Sequence, residues 1–518
     1  MNGVSRLESK KRVAVDVKRV DGQNERVSLY ATDEPGHDAC GVVVIAAMDG
    51  YQSRTVVNMA IEALGNMQHR AGLDADGVTG DGTGIKTEIP QEMFVTLYNE
   101  SQGHGQILDP ATDTIAVGQL YLPRHDDYAK KHCEDIIDEV LGERFFDGFR
   151  DYRFREVPEN KDVFGIEQDQ KRQTHAYRNL PLMQQLLIPK PRAMSVDEFE
   201  LRLYLLRRRI ERKALDRNLT GHKDSTFYFA SLSARDIVYK YTVKTGEIAN
   251  FYLDLQDPRF KSSYAMGHGR FATNIPRNLR LVQVLRKIAH NGEINTNLGN
   301  IKWWESYCKR IAEEKLGERF SPTYIGSLFP LTSTANSDSA NMDAIVEFLE
   351  MTGHSYSYIM NALMPEAIRQ GGEMPPSVQQ MLEVLESELP PAQGPAFIGM
   401  AGVDGQGRKR AFFGLDAGGY RPARYQVIER NGQSFFLGTS EDGVIALEQS
   451  DIQLRGRLGP GMRVAVDMDQ HRIIDDQELK EEAARERPFE ALHHKIQPLV
   501  FESGVKPRQY DASELLER

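Results

Sequence analysis

Gly41-Val-Val-Val-Ile-Ala-Ala47 is an unbroken run dominated by β-branched residues, the pattern of a strand buried on both faces. The spacing then changes from continuous to helical. Val57, Ile61 and Leu64 recur at intervals of four and three, which predicts an amphipathic helix from about Arg54 to His69. A buried strand followed by such a helix is a layered α/β beginning. Strand-like segments return at Phe227-Tyr-Phe-Ala-Ser-Leu232 and Asp236-Ile-Val-Tyr-Lys-Tyr241, and again at Phe412–Leu415, Phe435–Gly438 and Met462–Val466, where glycine-bearing turns separate them. A helix is expected after Asp338, with Met342, Ile345, Val346 and Leu349 on one side.

Between these segments lie stretches of another character. Residues 1–39 mix seven basic with seven acidic side chains, contain no apolar stretch of signal-peptide type, and end in Pro35-Gly36-His37-Asp38-Ala39. They read as a leader or flexible arm. Residues 126–218 are highly charged, with helical spacing at Phe199, Leu203, Leu206 and Ile210, and read as a charged helical insertion in which Glu198 and Arg202 form an i,i+4 pair. The basic run Arg207, Arg208, Arg209, Arg212 and Lys213 is either a solvated helix face or a docking patch for an acidic partner. Gly80-Asp-Gly-Thr-Gly84 reads as a turn, its glycines also admitting close approach of a ligand. Residues 477–518 are charged and weakly patterned, a tail or docking arm.

Composition narrows the partners. The 518 residues carry 64 Lys+Arg against 75 Asp+Glu, a net charge of −11, which argues against nucleic acid or an anionic membrane surface, since both select clustered positive charge. No apolar run approaches the ~20 residues that span a bilayer. Cys40, Cys133 and Cys308 are too few and too far apart for a disulfide framework or a CxxC metal site, and imply a reducing, cytoplasmic setting.

The candidate chemistry is sparse. Cys40, at the head of the buried strand, is a small core residue or a nucleophile. Cleavage after Ala39 would give it a free α-amine, whose pKa of about 7.7 to 8.0 suits a general base, whereas a peptide nitrogen has no basicity. Asn291-Gly292 is a tight hairpin turn or an oxyanion hole, with the Asn291 side-chain amide and the Gly292 N–H as donors. Asp338 is a helix N-cap or an anion for a ligand's ammonium. Arg270 is a surface ion-pair residue or a bidentate carboxylate holder. Together Arg270 and Asp338 suit an α-amino acid.

His37-Asp-Ala-Cys-Gly41, Gln68-His-Arg70, Asp74 to Gly84, Gly267-His-Gly-Arg-Phe-Ala-Thr273, Ala289-His-Asn-Gly-Glu-Ile-Asn295 and Asn336-Ser-Asp-Ser-Ala340 together resemble the class II glutamine amidotransferase domain of the glutamate synthase large subunit. Tyr420-Arg-Pro-Ala-Arg-Tyr425, Thr439-Ser-Glu-Asp-Gly-Val444 and Arg457-Leu-Gly-Pro-Gly461 extend the likeness, which runs in order from about residue 36 to residue 476. The resemblance implies an α+β fold, the four-layer αββα sandwich of N-terminal-nucleophile hydrolases, spanning 40–476. It implies Cys40 as nucleophile, Asn291 and Gly292 as the oxyanion pair, Arg270, Thr273 and Asp338 as holders of L-glutamine, and Arg70 as an organiser around the nucleophile. The sequence departs from the family where Ala71 precedes Gly72, at Ile275-Pro-Arg-Asn278, and at Ala417-Gly-Gly-Tyr-Arg-Pro422. The likeness also implies no cofactor in this chain, no metal site, and a separate synthase subunit that carries FMN and an iron–sulfur cluster. The competing reading is a non-catalytic glutamine-binding or assembly module, should the leader remain attached.

Overall fold

The computed structural model describes residues 40–101, 106–219, 227–270, 279–334, 336–368 and 374–497, together with the backbone of Ala14–Lys18 and Asn24–Ser28. Those last two segments, inside the stretch read as a leader, are strands paired antiparallel, Ala14 opposite Ser28.

The continuous apolar run becomes the strand Gly41–Ala47, every residue of it buried. It lies in a seven-stranded sheet, flanked by Gln433–Thr439 on one side and Tyr264–Gly269 on the other, both antiparallel. Because side chains alternate across a strand, the run serves two cores at once. Val43, Ile45 and Ala47 pack with Val57, Ala60 and Leu64 of the helix Arg54–Asn66. Val42, Val44 and Ala46 face the other way, onto Phe397, Phe413 and Val464. Those residues belong to a second, five-stranded sheet in which Ile288–Gly292 pairs with Ala396–Val403, and that strand with Lys409–Leu415. The outer face of the second sheet, through Ile398, Met400 and Phe412, packs against Met342, Ile345 and Leu349 of the helix Asp338–Met351 and against its neighbours Tyr356–Leu363 and Pro376–Glu388. Helix, sheet, sheet, helix is the expected four-layer order. Each fully buried Val or Ile in these layers contributes about 1.5–3 kcal/mol.

Three expectations about organisation are corrected. The segment 126–218 is not a helical insertion alone. Besides the helices Asp127–Leu141 and Val196–Asp216 it supplies the strands Arg153–Glu156 and Leu182–Pro189 to a four-stranded sheet with Ile115–Leu122 and Tyr228–Ser233. Gln184 and Gln185 interrupt the apolar pattern of Leu182–Pro189 yet are buried, Gln185 donating to the Tyr239 hydroxyl at 3.0 Å. The expected Glu198–Arg202 pair is present at 2.8 Å.

The basic run is not a uniformly solvated face. Arg207 is buried and paired with Glu211 and Glu347, Arg209 with Glu143, Arg212 with Asp216 and Lys213 with Glu139. The segment read as a tail is folded as far as residue 497. Leu479 and Ala483 of the helix Asp476–Ala484 and Phe489 of the helix Phe489–His493 are core residues, and Glu482 pairs with Arg408 and Arg410.

Candidate active site

The site collects at one edge of the two stacked sheets. Strand register provides the first juxtaposition: Gly41 pairs with Gly269, and one step further lie Cys40 and Arg270. Arg270 is buried, its N–H donating to the Gly82 carbonyl at 2.9 Å and its carbonyl accepting from Gly72 N–H at 3.3 Å. The glycine-rich segment thus lies alongside the carboxylate-holder candidate. Its close approach is to the chain itself rather than to a ligand, since a Cβ on Gly84 would fall 2.6 Å from the Val284 nitrogen.

Two buried histidines carry the connection to the second sheet. His268 Nε2 meets the His290 carbonyl at 3.1 Å, and His290 is the residue before Asn291. His290 Nε2 lies 2.6 Å from the Ser339 hydroxyl and 2.9 Å from Gln283 Nε2, while the His290 N–H donates to Gln283 Oε1 at 2.8 Å. Accepting from Gln283 and Ser339 places the ring proton on Nδ1. Burial first, and then neighbouring positive charge on Arg270 and Arg421, lowers the His290 pKa to about 4. Burial, with His290 next, lowers His268 to about 3. Both rings are neutral at neutral pH, so they hold geometry without adding charge beside Arg270.

Asn291-Gly292 is not a hairpin turn. It ends the strand Ile288–Gly292, paired with Phe397 and Ala396, and the ladder resumes at Asn295 opposite Gln393. Gly292 has φ +137°, and a Cβ there would sit 1.9 Å from the Pro395 carbonyl oxygen, so both the torsion and the space demand glycine. Asn291 is buried, and among the described residues its amide oxygen has no hydrogen-bond partner.

Asp338 is not the N-cap of its helix. Ser337 is, accepting from the Ala340 N–H, while Asp338 takes the first helical position and accepts from the Thr296 hydroxyl at 2.8 Å. Ser339, the next residue, closes the chain of contacts back to His290. Arg70 donates through Nε to Glu441 at 2.8 Å, and His69 meets the other oxygen of that carboxylate at 2.7 Å. The neighbouring Ser440 accepts from the Val42 N–H at 3.0 Å and donates its own N–H to the Val42 carbonyl at 3.1 Å. Arg70 is thus held by Glu441, the residue next to the serine that bonds the strand Gly41–Ala47. Thr273 lies outside the described residues.

Residues 40–492 match the family model of class-II glutamine amidotransferases. The chain belongs to that family. This amidotransferase is 33% identical over 493 residues to the large chain of the NADPH glutamate synthase of Azospirillum brasilense, covering 94% of this chain and 30% of the relative. It is 35% identical over 461 residues to the ferredoxin-dependent glutamate synthase 2 of a Synechocystis species, covering 87% and 27%. With the chloroplastic ferredoxin-dependent glutamate synthase 2 of Arabidopsis thaliana it shares 32% over 487 residues, covering 92% and 27%. The amidotransferase thus spans less than a third of the length of these relatives. Among the described residues no helix is long and apolar enough to cross a membrane.

The amidotransferase site contains groups that sequence reasoning left without a role: His268, His290, Ser339, Thr296, Ser440 and Glu441. Ser440 and Val42 are 398 residues apart, and no local pattern couples positions so distant. The available signals were the segment Thr439–Val444 for Ser440 and Glu441 and the motifs around Arg270, Asn291 and Asp338 for His268, His290 and Ser339, all of which had entered only as a family likeness.

Proposed function

We propose that this chain hydrolyses L-glutamine to glutamate and ammonia and passes the ammonia to a separate glutamate-synthase-type subunit. The observation that carries the reading is the convergence of Cys40, Arg270, Asn291, Gly292 and Asp338 through strand register and the His268–His290–Ser339 contacts. Arg270, with Thr273, holds the substrate carboxylate and Asp338 its ammonium. The Cys40 thiolate attacks the side-chain amide carbon, its proton having passed to the α-amine exposed by removal of residues 1–39. The oxyanion is held by the Asn291 side chain and the Gly292 N–H, donors worth about a hundredfold or more each in rate. The C–N bond breaks, the amine's proton leaves with ammonia, and water cleaves the γ-glutamyl thioester to release glutamate and restore the thiol. Family matching that begins at Cys40 supports the cleavage step.

The partner subunit, not this chain, carries the FMN and iron–sulfur cluster of the complete reaction, and the amidotransferase acts in the cytoplasm. Support comes from relatives that bear glutamate synthase names over lengths far beyond this chain, and from three cysteines of which none is in a disulfide among the described residues. The test is intact mass and N-terminal residue of protein from its own host, with ammonia release from glutamine. A start at Cys40 with release is expected, and Cys40→Ala is expected to abolish turnover while leaving glutamine binding measurable. A retained leader without ammonia release would establish the binding module instead.

A further inference from the structure

The oxyanion pair and the ammonium holder stand on different layers of the fold. Asn291 and Gly292 end the strand Ile288–Gly292 of the second sheet, and Asp338 opens the helix Asp338–Met351. Two side-chain contacts cross between these layers, one on each side of the pair. Before it, His290 Nε2 lies 2.6 Å from the Ser339 hydroxyl. After it, Thr296 donates to both oxygens of Asp338, its hydroxyl to Oδ1 at 2.8 Å and its N–H to Oδ2 at 3.3 Å. On the helix side both contacts end on adjacent residues, Asp338 and Ser339.

Each side is braced. Ser337 accepts from the Ala340 N–H at 3.2 Å, which fixes the turn that carries Asp338 and Ser339. The His290 backbone is held by Gln283 through its N–H and by His268 through its carbonyl. Between the two crossings the Glu293 N–H donates to the Pro395 carbonyl at 3.1 Å, and Asn295 exchanges hydrogen bonds with Gln393 at 2.7 and 3.0 Å. Glycine has more backbone freedom to lose than any other residue, so the aim of the Gly292 N–H depends on what is fixed to either side of it. Asp338 is only partly buried, and each of its oxygens keeps acceptor capacity beyond the Thr296 bond, so the carboxylate can take an ammonium without releasing Thr296.

We infer that Ser339 and Thr296 are positioning residues that join the ammonium holder to the oxyanion pair, so that an α-ammonium seated on Asp338 sets the Asn291 and Gly292 donors. The inference rests on the roles proposed above for Asp338, Asn291 and Gly292. Its consequence is that the α-ammonium, remote from the C–N bond that breaks, contributes to turnover as well as to affinity. An amide that lacks it is a poorer substrate in kcat, not in KM alone.

The test compares glutamine with glutaramate, the same amide without the α-amine, in protein prepared from its own host. Ser339→Ala is expected to lower kcat for glutamine about tenfold while KM moves much less, and Ser339→Thr, which keeps the hydroxyl, to restore kcat. Removing the α-amine is expected to lower kcat in the wild type, and to lower it about tenfold less in Ser339→Ala, where the link is already cut. Thr296→Val, which removes the hydroxyl and keeps the shape, is expected to raise KM and lower kcat together. A merely structural Ser339 would shift the unfolding temperature and leave the two losses multiplicative. A second readout does not need hydrolysis. In Cys40→Ala protein carrying 15N-labelled histidine, glutamine is expected to shift the His290 ring signal, assigned by its loss in His290→Gln, and either glutaramate or Ser339→Ala to abolish that shift. The proposal is overturned if the kcat losses multiply, if Ser339→Ala changes KM alone, or if glutamine binds without moving the His290 signal. Glutamine that neither binds nor yields ammonia would overturn the function proposed above, and this inference with it.

Discussion

Arg270 and His290 show how much of the site rests on single side chains. Arg270 follows a strand whose register sets it beside Cys40, and its planar fork suits a carboxylate in a way a lysine ammonium does not. Arg270→Lys is therefore expected to raise KM for glutamine by about tenfold or more, with a smaller effect on kcat. Unchanged glutamine binding would remove Arg270 from the substrate site. His290 carries a pH dependence that can be worked out from its burial. Its pKa falls from the ordinary 6.5 to about 4 on folding, so above pH 6.5 both folded and unfolded rings are neutral and the full stability is present. As pH falls below 6.5 the unfolded ring takes a proton that the folded ring refuses, and about 3 kcal/mol is lost by pH 4. Denaturant unfolding across that range should show the decline, and because His268 refuses a proton in the same way, His290→Gln should remove about half of it. A wild-type stability that stays level between pH 6.5 and 4 would mean the ring is not buried as described.

At the scale of elements, the strand Gly41–Ala47 and the helix Asp338–Met351 were legible because their apolar patterns match one geometry each, continuous for a doubly buried strand and three-four for a helix. The details at their ends were not. Asp338 reads as an N-cap by residue type, but Ser337 also qualifies, and only the geometry of the turn selects between them. Ser337→Ala is expected to cost about 1 kcal/mol, measured by denaturant unfolding, and to raise KM for glutamine by loosening the turn that carries Asp338. Asn291-Gly292 has the composition of a hairpin turn, yet its partner strand is Ala396–Val403, more than a hundred residues on. Leu182–Pro189 was missed for the converse reason. Gln185 is polar in sequence but finds Tyr239 and Asp254 inside the fold, so it costs the strand little.

Across the whole molecule, residues 477–497 are part of the packed body even though their charge suggests an arm. Leu479→Ala, which empties a fully buried position against the helical layer, is expected to destabilise the protein by about 2–5 kcal/mol. Thermal unfolding of that variant measures it, and a change near zero would mean the helix Asp476–Ala484 is dispensable. The sequence by itself determined the buried central strand, the principal helices and, through motifs in family order, the candidate nucleophile, oxyanion and substrate residues, because short-range periodicity and residue chemistry are properties of neighbours along the chain. Tertiary structure alone decided that Arg70 meets Glu441 beside Ser440, that two neutral histidines join the sheets beneath the site, and that the arginines of the helix Val196–Asp216 wall a cavity. Those roles depend on which groups lose water together and which charges then face one another, and that is set by chain segments hundreds of residues apart.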